Sequence, residues 1–337
     1  MCNNERPKVT VIGGGTGTQN VLRGLRDINV DPTSLMTMAD DGGSNQVVRD
    51  DFGLLPTSGI RQALVGLSKQ DGLLKELFEY RFTKGEGLAG MTFGNVFLIA
   101  ATDILGSLDA AIRETSGLLS VEGKILPISN DDVRLVATYE DGTEVRGEHH
   151  IDEPEHDGKL RIVGLRTEPK ATITEDARAA IRSSKVVILG PGDLYTNTVA
   201  ALVVDGVVDE LKQTPAQIAF ILNLMTKYGE AYDYTASDYL RDLDHYLPLS
   251  EVDVVLVNSD TDFPSEVLQK YHKEQAVPVV DDLDQASLPA STRVIRTPLL
   301  SDRIARPQPG DAMKRSMIRH DPERLGEVIM QLINMQG

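Results

Sequence analysis

Apolar positions at the start of the chain change period abruptly. Val9, Val11 and Ile12 alternate as in a buried strand, stop at Gly13-Gly14-Gly15, and give way to Val21, Leu22 and Leu25 at helical spacing. The pattern predicts a strand, a tight glycine loop (Gly13, Gly14, Gly15, Thr16, Gly17) and a helix. A second apolar run, Leu35 to Met38, ends in Asp40-Asp41-Gly42-Gly43-Ser44, so a second strand would deliver two carboxylates and a flexible loop beside the first. Ile60, Leu64 and Leu67 predict a helix over 60–67, with Thr57 or Ser58 as its cap and Arg61 in its first turn. An arginine there opposes the helix dipole, which asks for a partner, in a site or in a surface ion pair. Leu73 to Tyr80 reads as an amphipathic helix, and KGEGLAGMTFG as a glycine loop entering a nearly all-apolar helix, Val96 to Leu105. Thr92 and Asn95 stand at its head, as caps or as groups facing the glycine loop.

Between about Ser120 and Lys170 the period becomes two. Val133, Leu135 and Ala137, a turn at Glu140 to Thr143, Val145, and Leu160 to Leu165 predict a small inserted antiparallel β element. Its tip, GEHHIDEPEHDG, holds His149, His150 and His156 among five acids and reads as a solvated loop rather than a metal site. After Glu175 strands and helices alternate again. A helix at Ala177 to Ile181 precedes a strand at Lys185 to Leu189, which runs into Gly190-Pro191-Gly192-Asp193-Leu194-Tyr195-Thr196 and a helix carrying Leu202, Val203 and Val207. Further strands are expected at Ile218 to Leu222, Val252 to Val257, Val277 to Val280 and Val294 to Leu299, and a last helix at Pro322 to Ile333. Asn223, Thr226 and Glu230 follow the first of these; Arg319 and His320 precede the last helix, where Asp321 can cap it. The reading is α/β: a Rossmann-like three-layer fold with a mainly parallel central sheet, one domain over 1–337 with the β element at 120–170 inserted. In an open parallel sheet the C-terminal strand ends share one edge, so these polar, glycine-bearing loops should converge on one ligand crevice.

Glycine loops at helix starts suit phosphate, because free backbone N–H groups and the helix dipole both favour an anion. The loop is neither standard type. The third dinucleotide glycine is replaced by Thr18, and no lysine follows Gly17, which disfavours both an ordinary dehydrogenase and a Walker-type hydrolase. Composition narrows the ligand further. With 51 acids against 34 bases, a net charge of −17 and no tryptophan, the chain has neither the basic surface nor the stacking platforms of a nucleic-acid binder. No apolar stretch approaches the ~18 residues of a membrane span, so a cytoplasmic protein is expected. Cys2, the only cysteine, offers neither a disulfide nor a thiolate cluster.

GGGTG, MADDGGS, LPTSGIRQAL, MTFGNVFL, ILGPGDLYTN, NLMTKYGEAYDYT and IRHD, in this order, resemble the bacterial gluconeogenesis factor family, relatives of 2-phospho-L-lactate transferase, over nearly the whole chain. The resemblance implies a cytoplasmic regulatory protein that binds a UDP-sugar such as UDP-N-acetylglucosamine and is needed for cell shape during gluconeogenic growth; a homo-oligomer is expected. The transferase branch instead implies magnesium-dependent transfer of a phospholactyl group from a guanosine-linked donor to a deazaflavin alcohol. Carried over, ligand contacts fall to Gly13 to Gly17, Asp40, Asp41, Asn95, Gly192, Asp193, Tyr195, Asn223, Thr226 and Glu230, with Tyr271 and Arg319 as nucleotide-sugar contacts; the loops and helix heads themselves add Gly42, Gly43, Ser44, Arg61, Thr92 and Gly190 as ligand-facing candidates. Asp40 would hold a metal only when a magnesium-nucleotide is bound; no other cofactor is expected. The chain departs from the family pattern at Gly59, where an aspartate is usual, and at Asn45, Asp193 and Ala231 in place of hydroxyl residues. Losing that carboxylate weakens transferase chemistry and leaves phosphate binding intact.

Overall fold

The computed structural model describes residues 5–85, 87–305 and 316–335; Cys2 lies outside them. In chain order, strand β1 (Lys8–Gly13) leads through helix α1 (Gly15–Arg26) to β2 (Asp31–Met36). Five helices follow: α2 (Ser44–Phe52), α3 (Ser58–Leu67), α4 (Leu73–Glu79), α5 (Phe93–Leu105) and α6 (Leu108–Leu118). Next come β3 (Lys124–Pro127), β4 (Arg134–Tyr139), β5 (Glu144–Arg146), α7 (Glu148–Asp152) and β6 (Ile162–Glu168). The chain continues through α8 (Glu175–Ser183), β7 (Val186–Leu189), α9 (Ala200–Leu202), α10 (Val207–Gln213) and β8 (Gln217–Ile221). It ends with α11 (Ala236–Asp244), β9 (Val254–Asn258), α12 (Ser265–Lys273), β10 (Arg293–Thr297) and α13 (Pro322–Asn334).

Seven strands form one sheet in the order β10-β9-β8-β7-β1-β2-β3, and every pairing in it is parallel. Strand order therefore reverses between β1 and β7, which places the crevice of an open α/β sheet beyond their C-terminal ends. The two-residue period divides the sheet between two cores. Val9, Val11, Ile188 and Leu256 pack with α1, α3 and α13 on one face, while Ile12, Leu35, Leu189 and Phe220 pack on the other with α8 to α11. On that second face lies a three-stranded antiparallel sheet, β5-β4-β6, whose Leu135, Ala137 and Tyr139 join the same core. Among the described residues no helix is long and apolar enough to cross a membrane.

Four local expectations are corrected. The inserted β element is narrower than 120–170: β3 belongs to the large sheet as its edge, and the small sheet occupies 134–168. Val277 to Val280 is no strand: Pro278 bridges Met225 antiparallel while Val280 bridges Thr235 in parallel, so the segment changes partner within two residues and no ladder extends. Residues 148–152 of the GEHHIDEPEHDG tip are not a solvated loop but helix α7, because Ile151 is fully buried and pulls the segment inward. Neither Thr57 nor Ser58 caps α3 with its side chain; Asn45 Oδ1 accepts from the N–H groups of both, at 3.2 and 3.1 Å.

Candidate functional site

The glycine loop enters α1 with no side chain capping the helix start, so the first amides of a twelve-residue helix are left for another acceptor. Gly17 is glycine because a Cβ there would lie 2.1 Å from the Pro191 carbonyl oxygen. The loops after β1 and β7 thus meet backbone to backbone. After β2 the chain is held by a buried arginine: Arg49 of α2 donates to the carbonyls of Met38 (2.5 Å), Asp40 (3.1 Å) and Val133 (2.9 Å), and pairs with Asp132 at 2.5 Å. It fixes the acidic turn and ties it to the start of the small sheet. Within that turn Asp40 lines the crevice, its Oδ1 accepting from the Gly42 N–H at 3.0 Å. Asp41 turns away, accepting from the His149 N–H at 2.9 Å and pairing with Arg134 at 3.4 Å.

Loops after β1, β2, β7 and β8 open onto one cleft of ≈ 690 Å³, closed by the starts of α2 and α3, by α7, by Tyr271 of α12 and by residues 316–320. Under its β7–β8 side lies a charged cluster. Lys227 donates to Asp152 of α7 and to Asp193 (2.8 Å), joining the small sheet to the large one. Glu230 accepts from Tyr195 N (2.8 Å), Thr196 N (3.0 Å) and Thr196 Oγ1 (2.7 Å). Burial and the neighbouring Asp193 push the Glu230 carboxyl up to about 7. Burial opposes the charge on Lys227, but Asp152, Asp193 and Glu230 outweigh it and hold the ammonium well above its usual range. Glu148 is raised well above the carboxylate range by burial and by Asp40 and Asp152, and its Oε2 meets no hydrogen-bond partner among the described residues. Burial pushes the His320 imidazole down to about 4, and its Nε2 meets no hydrogen-bond partner among the described residues.

Asp152, Asp193 and Glu230 bring ligand oxygens within 4.8 Å of one another, a spacing a cation can use. Lys227 already bonds two of the three, so its ammonium supplies the positive charge this set would offer a cation, and the set does not fit magnesium. Asp40 does fit the usual magnesium arrangement of one carboxylate completed by ligand phosphates.

A family model described as 2-phospho-L-lactate transferase CofD matches residues 9–300. The chain belongs to the CofD family. It is 36% identical to the gluconeogenesis factor of Bacillus subtilis (strain 168) over 329 residues, 98% of this chain and 99% of that protein. The gluconeogenesis factor of Halalkalibacterium halodurans is 36% identical over 327 residues, 97% of each. A solved UPF0052 family protein from Bacillus halodurans shares the fold at a TM-score of 0.86 and 34% identity, covering 97% of this chain and 99% of that one.

In this CofD-family cleft the structure brings together most of the residues singled out from sequence: Gly14, Gly15, Thr16, Gly17, Asp40, Gly42, Gly43, Ser44, Gly192, Asp193, Asn223, Thr226, Tyr271 and Arg319 line it. The others stand behind the lining. Gly13 and Gly190 sit back in the paired strand ends. Thr92 caps α5, accepting from Asn95 N at 3.3 Å. Asn95 and Arg61 are buried against each other, Arg61 Nε donating to Asn95 Oδ1 at 3.2 Å. Tyr195 points away from the cleft: its hydroxyl donates to the Ile162 carbonyl and meets Asp242, at 2.9 and 2.8 Å. Glu230, 1% exposed, lies beneath the floor.

Sequence reasoning passed over Gln62, Arg81, Glu148, Asp152 and Lys227 as lining groups. Gln62 carried a usable signal, standing one helical turn after Ser58. Glu148 and Asp152 bracket Ile151 at helical spacing, but the surrounding charge masked it.

Proposed function

We propose that the chain is a nucleotide-sugar-binding regulatory protein of the gluconeogenesis factor type, holding a UDP-sugar in the cleft. One observation carries this: four strand-end loops open onto a single ≈ 690 Å³ crevice beside an uncapped helix start, at the point where strand order reverses. That volume suits a ligand of nucleotide-sugar size, and the helix start suits its diphosphate. Tyr271, fixed by hydrogen bonds from Met317 N (2.9 Å) and Ile318 N (3.1 Å) to its hydroxyl, supplies a flat side chain for the base, with Arg319 beside it. Magnesium enters only with the diphosphate, on Asp40. Gly59 lines the cleft without a side chain where the resemblance expects a carboxylate, which favours binding over phospholactyl transfer. In the cell the protein acts in the cytoplasm, as a homo-oligomer, in morphogenesis during gluconeogenic growth. Isothermal titration with UDP-N-acetylglucosamine is expected to show saturable binding at one site per chain. A flat isotherm at millimolar ligand refutes the reading.

A further inference from the structure

Along the sheet edge the order is β9, β8, β7, β1, β2, so the glycine loop after β1 lies between the Tyr271 end of the cleft and the β2 end. Strands are about 5 Å apart. A ligand with its base at the first end and its diphosphate over the loop therefore places whatever the second phosphate carries against the wall after β2. That wall is a polar frame held by a single buried amide. Arg61 has only donors, so Asn95 Oδ1 must face it, at 3.2 Å, and the amide nitrogen then donates to Ser44 Oγ (2.9 Å) and Ser58 Oγ (3.0 Å). The two serine oxygens are 3.4 Å apart, and one hydroxyl proton can bridge them. The other is left for the cleft, which both serines line. One turn further along α3, Gln62 is 7% exposed, lines the same wall, and has a buried Oε1 with no hydrogen-bond partner among the described residues. Between them Gly59 projects no side chain into the space. A buried acceptor one helical turn from hydroxyls that Asn95 holds in place is the complement of a hydroxyl group that both donates and accepts.

We infer that the β2 end of the cleft is a sugar-hydroxyl subsite, in which Gln62 Oε1 accepts from, and Ser44 or Ser58 donates to, hydroxyls of the sugar on a nucleoside diphosphate. The inference rests on the nucleotide-sugar reading and adds to it the residues that tell a sugar-bearing ligand from the bare diphosphate. The experiment is calorimetric titration of wild type and Gln62→Leu with UDP and with UDP-N-acetylglucosamine. Wild type is expected to prefer the sugar-bearing ligand, and Gln62→Leu to lose about tenfold of that preference, the worth of one buried hydrogen bond, while its affinity for UDP stays unchanged. An unchanged preference, with UDP still bound, overturns the subsite and leaves the nucleotide reading standing. Failure of wild type to bind UDP overturns both. If Gln62→Leu also loses UDP through misfolding, the double variant Ser44→Ala with Ser58→Ala decides: a reduced preference supports the subsite and a retained one overturns it.

Discussion

His320 and Glu230 sit on opposite sides of the same pH question. Burial holds the His320 imidazole neutral down to about 4, against 6.5 in an unfolded chain. Its folded pKa is the lower one, so below 6.5 the unfolded state gains a proton that the folded state refuses, and stability falls with pH until about 4. The interval is worth roughly 3 kcal/mol. Glu230 runs the other way: raised from 4.5 to about 7, it contributes stability below 4.5 that is lost as pH rises toward 7. The two overlap, so a single melting curve does not separate them, but a variant does. His320→Gln keeps Glu230 and removes the imidazole, and its thermal midpoint should fall less steeply than that of wild type between pH 6.5 and 4. Parallel profiles would show that His320 does not carry the effect.

At the scale of elements, α1 and α13 cross where Gly24 meets Gly326. A Cβ on Gly24 would lie 2.2 Å from the Pro322 carbonyl oxygen. Helix propensity alone favours Gly24→Ala by about 1 kcal/mol, whereas forcing the crossing apart costs about 1–3 kcal/mol. Because the colliding atom is backbone, the steric effect wins, and the urea midpoint of Gly24→Ala should fall; a rise would mean that the helices can shift. The same contrast explains what the sequence made legible. Val9 to Gly17 was readable because period, glycine loop and helix all agree within one stretch. The head of α5 was readable in position but not in role, since Thr92 and Asn95 look alike as caps and only the fold sends the Asn95 amide to Ser44 and Ser58. Helix α7 was not readable, because its five residues carry two histidines and two acids around one apolar anchor, Ile151. Arg49 was equally hidden, its partners being three carbonyls and an aspartate distant in sequence.

For the molecule as a whole, the small sheet and the large one share one core, to which Tyr139 (1% exposed) of the small sheet and Leu189 and Phe220 of the large one all belong. Tyr139→Ala should therefore destabilise everything together, by about 3–5 kcal/mol, with far-UV circular dichroism and tyrosine fluorescence moving in one transition. Separate transitions would show that the small sheet unfolds alone. Convergence of strand-end loops was foreseeable, because a parallel sheet has one C-terminal edge wherever its strands fall. The contribution of Lys227, Asp152 and Glu148 was not, because it depends on how far the small sheet folds back over that edge. Gly17 against Pro191 has a last consequence, for how such a cleft can change. The gap between the first and seventh strand ends is set by main chain touching main chain, so substitutions among lining side chains cannot widen or narrow it. Anion holding and ligand choice are thus separable traits: residues such as Gln62 can be exchanged to alter which molecule is accepted while the cradle beneath keeps its shape.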